Sequence, residues 1–205
     1  MLNLIASALN RNDEAPNIEL AVSLSSKKDV SDISEIVSGL AMDKATANDC
    51  IKVLYEIGAR DANLLCPHAD IFLDLLKSKN NRLVWGAMTA LGQITALCPE
   101  KVFGRFDAVY AAFKAGSVIT VDNSMSVFAA LCAVSPAYAQ KILPVLIGHF
   151  ETCGAKEIPQ HLERISGCLT PDTAKQFQLL IHGRYSEMTP SQQARVNKVF
   201  KKICG

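Results

Sequence analysis

His149 and Cys153 stand four residues apart, the spacing that brings two side chains onto one face of a helix. Imidazole and thiolate are both transition-metal ligands, but structural zinc takes four donors. No second pair at matching spacing accompanies them, so they read as a helix-end histidine beside a buried thiol. His161-Leu162-Glu163 supplies the His-x-Glu half of a zinc deaminase signature. The Pro-Cys-x-x-Cys half is missing, and residues two apart on a helix face different directions. Both side chains are therefore expected on a helix surface. Cys66 and Cys98 each precede a proline, and His68 follows the first. In a stacked array their equivalent positions would lie about 10 Å apart. That is too far to share an ion, and core thiols before a helix-opening proline are expected.

Other chemistries lack their residues. There is no Gly-x-Ser-x-Gly, and the 4 histidines are scattered. Neither Gly-x-x-x-x-Gly-Lys nor Gly-x-Gly-x-x-Gly occurs, nor an Asp-rich calcium loop with a central glycine. No catalytic residue, cofactor or metal site is expected. The 7 cysteines form no Cys-x-x-Cys and mostly sit inside apolar helical patterns. They read as reduced thiols acting as small hydrophobes, which points to a reducing compartment, the cytoplasm.

What must position any site is a globular chain. Of 205 residues 49% are hydrophobic and 20% charged, which excludes a disordered tail. Lys plus Arg number 21 and Asp plus Glu 20, a near-balance that argues against dedicated DNA wrapping. Charge is nonetheless uneven, with 12 acids against 8 bases over 1–79 and 8 against 13 over 80–205. No apolar run approaches the roughly 18 residues of a membrane span. The first residues lack the basic start of a signal peptide.

The hydrophobic period is helical nearly throughout. Leu83, Val84, Ala87, Met88, Leu91 and Ile94 follow the i, i+3, i+4, i+7 pattern, as do Phe103, Phe106, Val109, Tyr110 and Phe113. Ser117-Val118-Ile119-Thr120-Val121 is the best strand candidate, but without a partner strand it reads as a helix start or a loop. Pro67, Pro99, Pro136 and Pro171 recur at intervals of roughly 35 residues, each following one helical run and opening another, a place where proline's missing N–H is harmless. Ala69–Lys77, Phe106–Lys114 and Leu143–Glu151 align without gaps. Pro144 is expected to kink or split the last of these.

The stretch Asn81-Arg82-Leu83-Val84-Trp85-Gly86-Ala87-Met88-Thr89-Ala90-Leu91-Gly92-Gln93-Ile94 resembles the first helix of a HEAT repeat, with Arg, then Ala, then Ala-Leu-Gly at similar offsets. Trp85 departs from that pattern. The resemblance spans residues 43–169, whereas the Trp, Leu-Gly, Tyr spacing of tetratricopeptide repeats is absent. It implies an all-α α-solenoid of about five stacked antiparallel helix pairs, each burying its faces against its neighbours.

The expected domain is a single one, 1–205. A degenerate cap occupies 1–42 with helices at 17–26 and 30–40. Helical hairpins fill 43–186, at 43–60 and 67–79, 81–98 and 99–115, 121–134 and 136–152, 156–169 and 171–186. A capping helix at 190–203 lies in 187–205, its Val196, Val199, Phe200 and Ile203 stripe inward and Arg195, Lys198, Lys201 and Lys202 in solvent. Phe103, Phe106, Val109, Tyr110 and Phe113 form one face of 102–113, and Gly104, Ala108, Ala111, Ala112 and Ala115 a small-residue face for a neighbouring helix to press on. Phe106→Ala should therefore cost about 3–5 kcal/mol in a thermal melt. Trp85 is expected to fill a gap between repeats.

The implied role is a non-catalytic protein-interaction or scaffold module for a protein partner. Nucleic acid is not expected, and the oligomeric state is not readable. The second helices would line a concave surface, exposing Asp74, Lys77, Arg105, Lys114, Lys141 and His149. Two alternatives stand beside it. One is a HEAT-like enzyme of the alkylpurine DNA glycosylase or bilin lyase kind, against which the near-neutral charge and the 6% aromatic content weigh. The other is a subunit of a larger complex.

Overall fold

Aspartates and prolines start the helices. Asp29 accepts hydrogen bonds from the backbone N–H groups of Ser31 and Asp32, at 2.8 and 3.2 Å, and Asp43 from those of Ala45 and Thr46, at 3.0 and 3.2 Å. In the computed structural model, which describes residues 1–204, these signals produce 12 α-helices. They are α1 (Ala15–Lys27), α2 (Val30–Ser38), α3 (Lys44–Arg60), α4 (Ala69–Leu75), α5 (Asn81–Ile94), α6 (Pro99–Gly104), α7 (Phe106–Ala115), α8 (Val118–Val134), α9 (Pro136–Thr152), α10 (Ile158–Ile165), α11 (Pro171–His182) and α12 (Pro190–Cys204). Short 3-10 turns link several of them, and no strand occurs among the described residues.

The β-branched run forms the start of α8 from Val118, with Ser117 just before it. The expected helix 99–115 breaks between Gly104 and Arg105, where Arg105 leaves helical geometry at φ −113, ψ 23. Glycine is a poor interior helix residue. The expected helix 67–79 holds only over Ala69–Leu75, after a 3-10 turn at Cys66–His68. The expectation of a split at Pro144 is corrected, because α9 runs unbroken from Pro136 to Thr152 with Pro144 inside it. The described chain forms two compact units, Met1–Val127 and from Phe128 onward.

In the first unit α3 is central. It packs on α1, α2 and α5, and α5 also packs on α4. Cys50, Ile51, Val53, Leu54 and Ile57 are fully buried. The crossing with α5 is close, since a Cβ at Gly86 would lie 2.5 Å from Ile51 Cγ1 and admits no side chain without displacing Ile51. Trp85 is half-buried beside this crossing, its ring 5.7 Å from Tyr55 of α3 and 5.5 Å from the Arg82 guanidinium.

Lys52 is buried between two carboxylates, Glu56 at 2.9 Å and Glu14 at 3.0 Å. Burial disfavours its charge, but the two carboxylates outweigh that and hold its pKa above the ordinary lysine value. Arg60 and Arg82 extend the chain of charges at either end. Phe106 is 4% exposed, with Phe103 and Tyr110 rings 6.0 and 6.1 Å away. Phe103 is only half-buried and Tyr110 exposed, so both have room to relax into a gap. This places the Phe106→Ala loss near the lower end, about 3 kcal/mol.

In the second unit Phe128, Phe150 and Phe177 are fully buried beside Leu131, Ile142, Leu146 and Ile181. α9 packs on α11, and α12 lies against both α10 and α11. The stripe of α12 divides in part as expected, with Val196 and Phe200 buried, Val199 and Ile203 half-buried, and Lys198, Lys201 and Lys202 exposed. Arg195 is held by Glu163 of α10 at 2.6 and 2.9 Å.

Candidate functional site

The charged positions expected on a binding face divide into three kinds. Asp74 and Arg105 meet each other at 2.7 Å, beside a parallel pair of Asp70 and Lys101 at 3.1 Å. These surface pairs stitch α4 to α6 and the start of α7, and being solvent-exposed they add little to stability. Lys77, Lys114 and Lys141 are exposed. His149 is half-buried and turned against another histidine.

The small-residue face of α7 is only partly covered, with Ala112 buried and Ala108 half-buried. Ala111 and Ala115 are exposed, and with Ala108 and Ala112 they floor a groove of about 390 Å³. Leu76 and Val84 complete its apolar wall, while Lys77 and Lys79 stand on its rim. Alanines leave room that larger side chains would fill, so a feature read as a helix contact is an open apolar slot under positive charge.

A second concavity of about 510 Å³ lies between residues 6–14 and the starts of α3 and α5. Its charged groups largely satisfy one another, Arg11 with Asp13 at 2.8 Å and Arg82 with Glu14. Ser7 Oγ and Arg82 Nε are buried there without partners. No motif in the sequence marks this pocket.

Two pairs of thiols come together. Cys66 and Cys98 lie within hydrogen-bonding reach, which corrects the expected 10 Å separation. That spacing describes helix axes and not the side chains that extend between them. Cys132 and Cys168 are paired in the same way. Cys50, Cys66, Cys98, Cys132, Cys153, Cys168 and Cys204 are all free thiols. Burial pushes the Cys50 thiol up to about 12, and burial together with the Cys66 thiol does the same to Cys98. Protonated thiols of this kind are poor nucleophiles.

The least expected arrangement is at the α9–α10 turn. His161, expected on a surface, is fully buried, and its Nδ1 lies 2.9 Å from His149 Nε2. The thiol of Cys153, the residue that caps α9, completes a cluster whose three ligand atoms all lie within 4.8 Å of one another. Burial raises the Cys153 pKa, while the nearby Arg184 guanidinium opposes the rise. A signal for His161 existed in the sequence. Ile158, Leu162 and Ile165 form the buried stripe of α10, and His161 sits on that same i, i+3, i+4, i+7 face.

No helix is long and apolar enough to cross a membrane, among the residues described. No protein-family model matches the chain, and comparison with curated proteins finds no match.

Proposed function

We propose that the chain is a non-catalytic protein-binding module, its helix pairs stacked in the HEAT-like manner and its partner an acidic, amphipathic segment. Alternate-helix packing supports the stack: α1 on α3 and α3 on α5 in one unit, α9 on α11 and α10 on α12 in the other. The observation that carries the binding role is the alanine-floored groove beside α7. Its apolar floor accepts side chains, and Lys77 and Lys79 on the rim, with Lys114 exposed on α7, favour a negatively charged ligand.

Affinity purification from native lysate with mass spectrometry tests this, comparing the wild type with a Lys77→Glu, Lys79→Glu, Lys114→Glu triple variant. The variant is expected to lose the principal captured protein, with association slowed by about tenfold or more at low salt. A control reversal at Lys201 and Lys202 is expected to keep it. Equal capture by wild type and triple variant sinks the groove assignment.

A further inference from the structure

We infer that His149, Cys153 and His161 form a zinc site with one coordination position left to water. The inference is independent of the protein-binding role. Two imidazoles and a thiol converge there, with all ligand atoms within 4.8 Å of one another. Zinc bonds of about 2.0–2.1 Å to nitrogen and 2.3 Å to sulfur, in tetrahedral geometry, place the nitrogens about 3.3 Å apart and each about 3.6 Å from the sulfur. The imidazole nitrogens, now at 2.9 Å, need to part by only a few tenths of an ångström. From a separation of at most 4.8 Å the sulfur needs to approach by about 1.2 Å at most, within reach of a rotation about the Cys153 Cα–Cβ bond.

The scaffold suits a preformed site. His149 and Cys153 share the C-terminal end of α9, and His161 stands in the first half of α10. The turn between them is tied by the Gly154 N–H donating to Glu157 at 3.2 Å. His161 is 0% and Cys153 8% exposed, so solvent meets the cluster chiefly at half-buried His149. Metal ligands held this deeply lose little freedom on binding.

The donor set selects the metal. Two imidazoles with a thiolate suit zinc and related transition ions, whereas magnesium and calcium require oxygen ligands. Binding releases the thiol proton to solvent and forms the zinc–sulfur bond. As ligands both imidazoles are neutral, with their N–H on His149 Nδ1 and His161 Nε2, so the proton held between the two facing nitrogens moves through solvent to the far nitrogen of its own ring. Arg184 lies beside the thiol, and its own charge is answered by Glu187 at 2.6 and 3.0 Å. The Glu157 carboxylate also acts on the thiol. A dication, one thiolate, one guanidinium and two carboxylates sum to neutrality.

The test uses the purified full chain, stripped with a chelator and titrated with Co(II). One ion per chain is expected, with visible bands of a four-coordinate centre and a near-ultraviolet thiolate-to-cobalt transition that Zn(II) abolishes. Cys153→Ser should lose the thiolate transition while keeping its helical circular dichroism. His149→Asn should weaken binding by about 100-fold or more, since even residues behind the ligands commonly cost about 10–100-fold. A Cys66→Ser, Cys132→Ser variant should leave the spectrum unchanged. Zinc should raise the melting temperature of the wild type and not of Cys153→Ser. Absence of a cobalt spectrum overturns the site. So does a thiolate transition that survives Cys153→Ser or disappears in the Cys66, Cys132 variant.

Discussion

Phe177→Ala is expected to lower stability by about 5 kcal/mol, near the top of the range for emptying an aromatic site. Phe177 is fully buried on α11, and its ring meets Phe150 of α9 edge-on at 5.4 Å and 90°. Phe150 is itself fully buried, as are Ile142 and Leu146 on the same helix. Neighbours confined on every side cannot collapse into the void, unlike those of Phe106. The edge-to-face pair adds about 0.5–1.5 kcal/mol beyond area burial. Chemical denaturation measures the loss. A double-mutant cycle with Phe150→Leu and Phe177→Leu isolates the ring–ring part. A loss under about 2 kcal/mol for Phe177→Ala would mean this interior is far looser than the packing implies.

Asn17→Leu is expected to cost about 4 kcal/mol although it adds apolar volume. Asn17 is fully buried and holds the N-terminal segment to α3. Its Oδ1 accepts from the Ala6 N–H at 2.9 Å, and its Nδ2 donates to Asp49 at 2.8 Å. Asp49 in turn accepts from the Ser7 N–H at 2.7 Å. Leucine strands the Ala6 donor and removes one partner of the Asp49 carboxylate, each worth about 1–3 kcal/mol. Hydrogen exchange at Ala6 and Ser7 should rise more than exchange in α5. Equal protection in wild type and variant would show that this network does not hold the segment.

The metal-ligand cluster shows how unevenly a site can be read. His149 and Cys153 are legible as a pair because four residues along a helix is a local relation. His161 is legible as a buried position, because its period matches Ile158, Leu162 and Ile165. That these two features meet is not legible, since it depends on the turn at 154–157 folding α10 back beside the end of α9. The same holds for the surface charges. Helix phase places Asp74 and Arg105 outward, but not the 2.7 Å contact by which they answer each other.

By itself the amino-acid order determined that this chain is helical, and where most of its helices begin. Pro99, Pro136, Pro171 and Pro190 stand at first helical positions, and Asp29 and Asp43 cap theirs. Such signals act over one turn and need no distant partner. Only the tertiary structure decided what meets across turns: the open alanine slot of α7, the thiol pairs of Cys66 with Cys98 and Cys132 with Cys168, and the histidine pair. Those depend on how helices lean and on which side chains point inward between them, and a period of 3.6 residues specifies a face without specifying its neighbour.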